Sequence, residues 1–157
     1  MKRAINATLA LLLLAVAFLL GLYPALHTCW AMATDSGLRT GGPTKMAFRM
    51  HRSLSDRLPE YIDNRIESGI ATTLTVNQIE ATEWPLYGAF FYLRATEELQ
   101  HQWEADSTLA AISPKETGRD AIQASARLLL DPNHAHWVKT YWGENHLEAP
   151  NCFYRML

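Results

Sequence analysis

From Ala4 to Thr34 the chain carries no Asp, Glu, Lys or Arg, and Leu9–Leu22 is almost wholly aliphatic. A helix needs about 20 apolar residues at 1.5 Å each to cross roughly 30 Å of hydrocarbon. Ala4–Leu22 supplies nearly that, and Tyr23 follows where an interfacial aromatic side chain belongs. Lys2 and Arg3 precede the run, which places Asp35 onward on the extracytoplasmic side, although Arg39 and Lys45 pull the other way. A signal peptide shares the basic start and apolar core, and Ala31-Met32-Ala33 is an A-x-A cleavage sequence. Against cleavage, Tyr23–Ala33 is long for a cleavage region and holds His27 and Trp30. Residues 1–34 therefore read as a transmembrane anchor or a signal peptide, with a buried core helix as the third reading. The first two both export the remainder of the chain.

That remainder is mildly acidic, because Lys2 and Arg3 are the only charges before Asp35 and the whole chain already sums to −2. No basic face of the kind that binds nucleic acid is expected. With 48% hydrophobic residues the chain has enough apolar matter for a core, unlike a disordered one. Cys29 and Cys152 lack metal-ligand spacing, and cleavage would leave Cys152 alone, so no structural disulfide is expected. His27-Thr28 before Cys29 does not fit a lipoprotein site.

Residues 35–44 (DSGLRTGGPT) have the composition of a flexible linker. Gly41-Gly42-Pro43-Thr44-Lys45 lacks the preceding strand and the backbone donors of a phosphate loop, so it is not read as one. A helix follows with Met46, Met50, Leu54 and Leu58 on one stripe. It restarts at Pro59 and stops at Gly69, with Arg49, Arg52 and Arg57 projecting either to solvent or to anionic headgroups. Ile70–Val76 is β-branched and reads as a strand or an extended connection. The strongest element is a helix over Glu83–Ala105, capped by Thr82 with Pro85 in its first turn. Trp84, Tyr87, Phe91, Ala95, Leu99 and Trp103 form its inward face, Leu86, Phe90 and Leu93 widen it until the first half is apolar nearly all round, and Gly88 admits a neighbouring backbone. Ser113-Pro114-Lys115-Glu116 is a capping box opening a helix to Leu130, with Ile122, Ser125, Leu128 and Leu129 inward. Asp131-Pro132 caps and starts a short helix through Trp137, Val138 and Tyr141, which ends at Gly143. Cys152–Leu157 is a new apolar run, which either tucks into the core, meets a protein partner or continues into a longer chain.

Constellations with chemical meaning are sparse. Glu98-Leu99-Gln100-His101 has the Glu-x-x-His spacing of di-iron bundles, but no second copy accompanies it. His134, His136 and His146 do not converge as zinc ligands must, and read as polar surface. No metal or cofactor is expected. The candidate catalytic residues are Glu83 beside Trp84, and Glu144, His146 and Glu148 in the loop from Trp142 to Asn151. A carboxylate against a hydrophobic wall there would act as a general acid.

Trp142-Gly143 followed by Asn151-Cys152-Phe153-Tyr154-Arg155 resembles a region of the linalool dehydratase/isomerase family. The resemblance implies an (α/α) toroid, an exported location and cofactor-free acid–base chemistry on an alkenol. It covers under a tenth of the chain. The family's catalytic cysteines have no counterparts here, and no catalytic residue is carried over.

The expected architecture is all-α: an N-terminal transmembrane helix (1–34), a linker (35–44) and a small helical domain (45–157) that forms the first hairpins of a toroid if the resemblance holds. Two functions stand open. One is a membrane-anchored helical module packing against a partner or a missing remainder. The other is the N-terminal part of a cofactor-independent lyase, isomerase or glycan-active toroid enzyme.

Overall fold

The computed structural model describes residues 2–149 and Cys152, with side chains for all of these except 2–5 and 39. The described residues are mostly helical and contain no strand, in keeping with the expected all-α class. Two compact units divide the chain, Met1–Met46 and Ala47–Leu157.

In the first unit, α1 (Lys2–Ala17) passes through a π-helical turn at Phe18–Leu22 into α2 (Tyr23–Thr34). The Tyr23 N–H donates to the Phe18 carbonyl five residues back. Pro24 explains the widened turn. A proline inside a helix has no N–H to give and its ring strikes the preceding turn, and one extra residue in that turn opens the space. Asn6–Thr34 is one helix long and apolar enough to cross a membrane. Residues 35–44, linker-like in composition, contain a turn of helix, α3 (Ser36–Thr40). The Asp35 carboxylate accepts from the Gly37 N–H at 3.0 Å and the Met46 N–H at 3.2 Å, closing the segment on itself. A Cβ at Gly37 would lie 2.1 Å from the Pro43 carbonyl oxygen, so only glycine permits this turn.

Helix α4 (Lys45–Ser55) ends the first unit and opens the second, which continues with α5 (Leu58–Glu67), α6 (Ile79–Ala105), α7 (Pro114–Thr117), α8 (Arg119–Leu130) and α9 (His136–Trp142). α8 packs on both α5 and α6. The core gathers Ile62 from α5, Leu86 and Ala89 from α6, Ala124 and Leu128 from α8, and Trp137 and Val138 from α9, with Cys152 added from beyond. On α8 the buried residues Ala121, Ala124, Ser125 and Leu128 fall at i, i+3, i+4 and i+7. Expected Ile122 and Leu129 are half-buried on its flanks. The small residues bring the α8 backbone close to its neighbours, where hydrophobicity alone pointed to the larger ones.

The remaining departures have local causes. Ile70–Thr73 forms a 3-10 turn rather than a strand, because Thr72 and Thr73 donate their hydroxyls to the Gly69 and Ile70 carbonyls at 2.9 and 2.8 Å. Gly69 stops α5 at φ 61° as expected. The Ser113 hydroxyl caps α7 by accepting from the Glu116 N–H, but the helix breaks at Gly118. A Cβ there would sit 2.4 Å from the Tyr92 hydroxyl and 3.2 Å from the His51 ring.

α6 begins four residues before its expected start, at Ile79. Thr82 does not cap it: its hydroxyl donates to the Gln78 carbonyl inside the helix. The buried face is Thr82, Pro85, Leu86, Ala89, Tyr92, Thr96 and Leu99. The expected inward aromatics Trp84 and Phe91 stand 66% and 61% exposed. Since the first half of α6 is apolar nearly all round, its periodicity selects no single face. The side that packs carries Leu86 and Ala89, which share the core with Ala124 and Leu128 of α8.

Candidate functional site

Three places in the second unit have the ingredients of a site: two buried polar clusters, and the exposed aromatic side of α6.

The first cluster joins α4 to α6. His51 and Tyr92 are buried and their rings stack with centroids 5.1 Å apart. The Thr96 hydroxyl donates to the Tyr92 carbonyl at 2.8 Å, so at the 2.8 Å contact with His51 it is the Nε2–H that donates to Thr96. The Ser55 hydroxyl likewise donates to the His51 carbonyl, which makes the Tyr92 hydroxyl the donor to Ser55 at 2.7 Å. Nε2 therefore carries a proton, and burial pushes the His51 pKa down, which favours the neutral ring. Burial likewise raises the Tyr92 pKa, against its hydrogen bond to Ser55. His51 borders a cavity of about 60 Å³ shared with Phe48, Arg52, Ala110, Ile112 and Pro114. That volume holds a few water molecules and falls far below the ~300–1,000 Å³ of a ligand pocket.

The second cluster contains His134, which is 1% exposed and thus core, not the polar surface its spacing suggested. Arg65 of α5 donates from Nε to His134 Nε2 at 2.8 Å, which leaves the proton on Nδ1, facing Asp131 Oδ2 at 3.0 Å. Asp131 Oδ1 also accepts from the Asn133 N–H, an Asx turn that the Asp-Pro-Asn sequence favours. Burial lowers the His134 pKa most, with Arg65 adding to the effect and Asp131 opposing it. The other arm of Arg65 donates from Nη2 to the Ala81 carbonyl. That oxygen would bond the N–H of residue 85 in an ordinary helix, and residue 85 is proline. The arginine thus supplies the donor that Pro85 lacks.

Beside this cluster, an open groove of about 780 Å³ runs between α5 and α8, lined by Asp63, Glu67, Asp131, Arg127 and Leu130 among others. Asp63 and Arg127 pair across it at 2.6 Å.

The candidate acids lie apart from these features. Glu83 is half-buried on α6. Glu144 is exposed and pairs with Lys139 at 3.3 Å. Glu148 is exposed on the 3-10 turn His146–Glu148. His146 is buried, with Nδ1 3.2 Å from the Glu144 carbonyl. None of the four lines the cavity or the groove. Both ring nitrogens of His134 are occupied, so the His134, His136 and His146 trio offers no ligand set. Among the described residues no His, Cys, Asp and Glu grouping could hold a metal. Trp142 and Gly143 end α9. Asn151 and Phe153–Leu157, which carry the rest of the family resemblance and most of the apolar C-terminal run, lie outside the described residues; Cys152 is in the core.

On α6, Trp84, Gly88, Phe91 and Ala95 form a single exposed row at i, i+4, i+7 and i+11. Nothing stands within 4 Å of a Cβ built on Gly88, so the close approach that its sequence suggests has no partner among the described residues. Glu80, Glu83, Arg94 and Glu98 border the row. No family model, curated protein or solved structure matches this chain.

Proposed function

We propose that the chain is a membrane-anchored, extracytoplasmic helical module that binds a helix of a partner protein along the exposed side of α6. The observation that carries this is the Trp84–Gly88–Phe91–Ala95 row: two large aromatics separated by small residues, exposed and bordered by charge. Protein interfaces have this composition, an apolar core rich in Trp and Phe within a polar rim. Gly88 and Ala95 leave the hollows into which ridges of a second helix fit. Three of the four bordering charges are carboxylates, which disfavour an anionic lipid surface as the occupant. Asn6–Thr34 supplies the anchor in this reading; Lys2 and Arg3 support its extracytoplasmic orientation, and Arg39 and Lys45 oppose it.

The decisive experiment places a photo-cross-linking amino acid at Phe91 and recovers adducts from membranes of the source cells. A discrete adduct with a second membrane-associated protein is expected. Trp84→Ala should weaken it by about 2 kcal/mol, roughly thirtyfold in Kd. An adduct internal to one longer polypeptide would assign the row to the chain's own continuation and overturn the partner reading.

A further inference from the structure

α4 presents a second exposed surface, and its chemistry differs from that of α6. Phe48, His51 and Ser55 are buried, which turns the rest of α4 outward. At 100° per residue, Lys45, Arg49 and Arg52 occupy a sector of about 60°, and Met46, Met50 and Leu54 a neighbouring sector of about 80°. All three basic residues are exposed, and Met50 and Leu54 are 56% and 54% exposed. Lys45–Ser55 contains no Asp or Glu. Lys45, Arg49 and Arg52 have no carboxylate partner among the described residues, unlike Arg94, Arg127 and Lys139 but like Arg57, Lys115 and Arg119. Ten residues, 35–44, separate α4 from the end of the apolar helix at Thr34. Fully extended they would reach about 35 Å, so α4 cannot stray far from the surface where that helix emerges.

We propose that α4 lies on an anionic membrane surface, with Lys45, Arg49 and Arg52 on lipid phosphates and Met50 and Leu54 at the boundary between headgroups and acyl chains. Cations beside exposed apolar side chains on one helix are what an interfacial helix requires, since the charges bring it to the headgroups and the apolar residues enter them. A protein partner would also have to neutralise three cations. Lipid phosphates do so wherever the tether ends. The proposal rests on the anchor reading, and the experiment separates the two.

The full chain is reconstituted into vesicles of phosphatidylcholine alone, or with about 30% phosphatidylglycerol, and amide hydrogen exchange is followed by mass spectrometry. Exchange over 45–55 should slow by roughly tenfold in the anionic vesicles, and about 0.5 M salt should cancel most of the difference. Arg49→Gln/Arg52→Gln should lose the slowing while exchange over α8 stays unchanged, which shows that the fold is intact. Equal exchange over 45–55 in both lipids, with 6–34 protected in both, overturns the proposal and leaves the anchor standing. An unprotected 6–34 removes the anchor, and the proposal falls with it. Slowing over 84–95 instead of 45–55 assigns the lipid surface to α6 and overturns the proposal too.

Discussion

Individual residues in the second unit are held by specific bonds, and the hydroxyl of Ser125 stands out against them. The Ser125 hydroxyl is fully buried on α8 with no hydrogen-bond partner among the described residues. An orphaned buried hydroxyl forfeits its water without compensation, about 1–3 kcal/mol. Ser125→Ala keeps the small volume that lets α8 approach α5 and α6, and should raise stability by about 1 kcal/mol in chemical denaturation. A loss of stability instead would show that the hydroxyl has a partner, such as an internal water. Ser125 was legible as an inward residue from its spacing; its orphaned state was not. His134 was not legible at all. Its burial depends on Arg65, 69 positions away, and spacing around a histidine cannot reveal a donor so distant in sequence.

At the scale of elements, local signals located most helices but only part of their buried faces: Ser125 and Leu128 of α8 and Leu99 of α6 are inward as expected, Trp84 and Phe91 are not. Pro59, Gly69, Ser113 and Gly143 punctuate the chain where their backbone chemistry requires, and the structure agrees. The inward face of α6 was misread because two apolar faces compete there, and the one that packs shares the core with Ala124 and Leu128 of α8. Pro85 misled in a second way. It reads as a first-turn residue, yet it lies inside α6 because Arg65 of α5 donates to the Ala81 carbonyl that proline leaves unbonded. This compensation is testable by a double-mutant cycle. Arg65→Met should destabilise the domain by about 2–4 kcal/mol, since it strands both the Ala81 carbonyl and His134 Nε2. Pro85→Ala restores an N–H to Ala81 and should recover about 1 kcal/mol more in the Arg65→Met background than in the wild type. Strict additivity would mean that the arginine does not compensate the proline.

For the whole molecule, the two buried histidines tie stability to pH. His51 and His134 are both neutral in the fold and both have pKa values below the ordinary 6.5, chiefly through burial. The unfolded chain therefore binds more protons than the folded one in the window that opens at 6.5 and closes at the folded values. Stability is full above 6.5, falls as pH drops through that window, and levels off below it as far as these two groups are concerned. Each histidine contributes a slope of at most about 1.4 kcal/mol per pH unit while the unfolded form is charged and the folded one is not. Thermal or urea unfolding between pH 7.5 and 5.5 should show this decline, in a range above most carboxylate titration. Replacing either histidine by Gln should flatten the slope even where it lowers stability at every pH. A Tm that rises toward acid would mean that at least one ring is charged in the fold. If that ring is His134, the Asp131 carboxylate outweighs burial there and Nε2 cannot accept from Arg65 as the bond geometry requires.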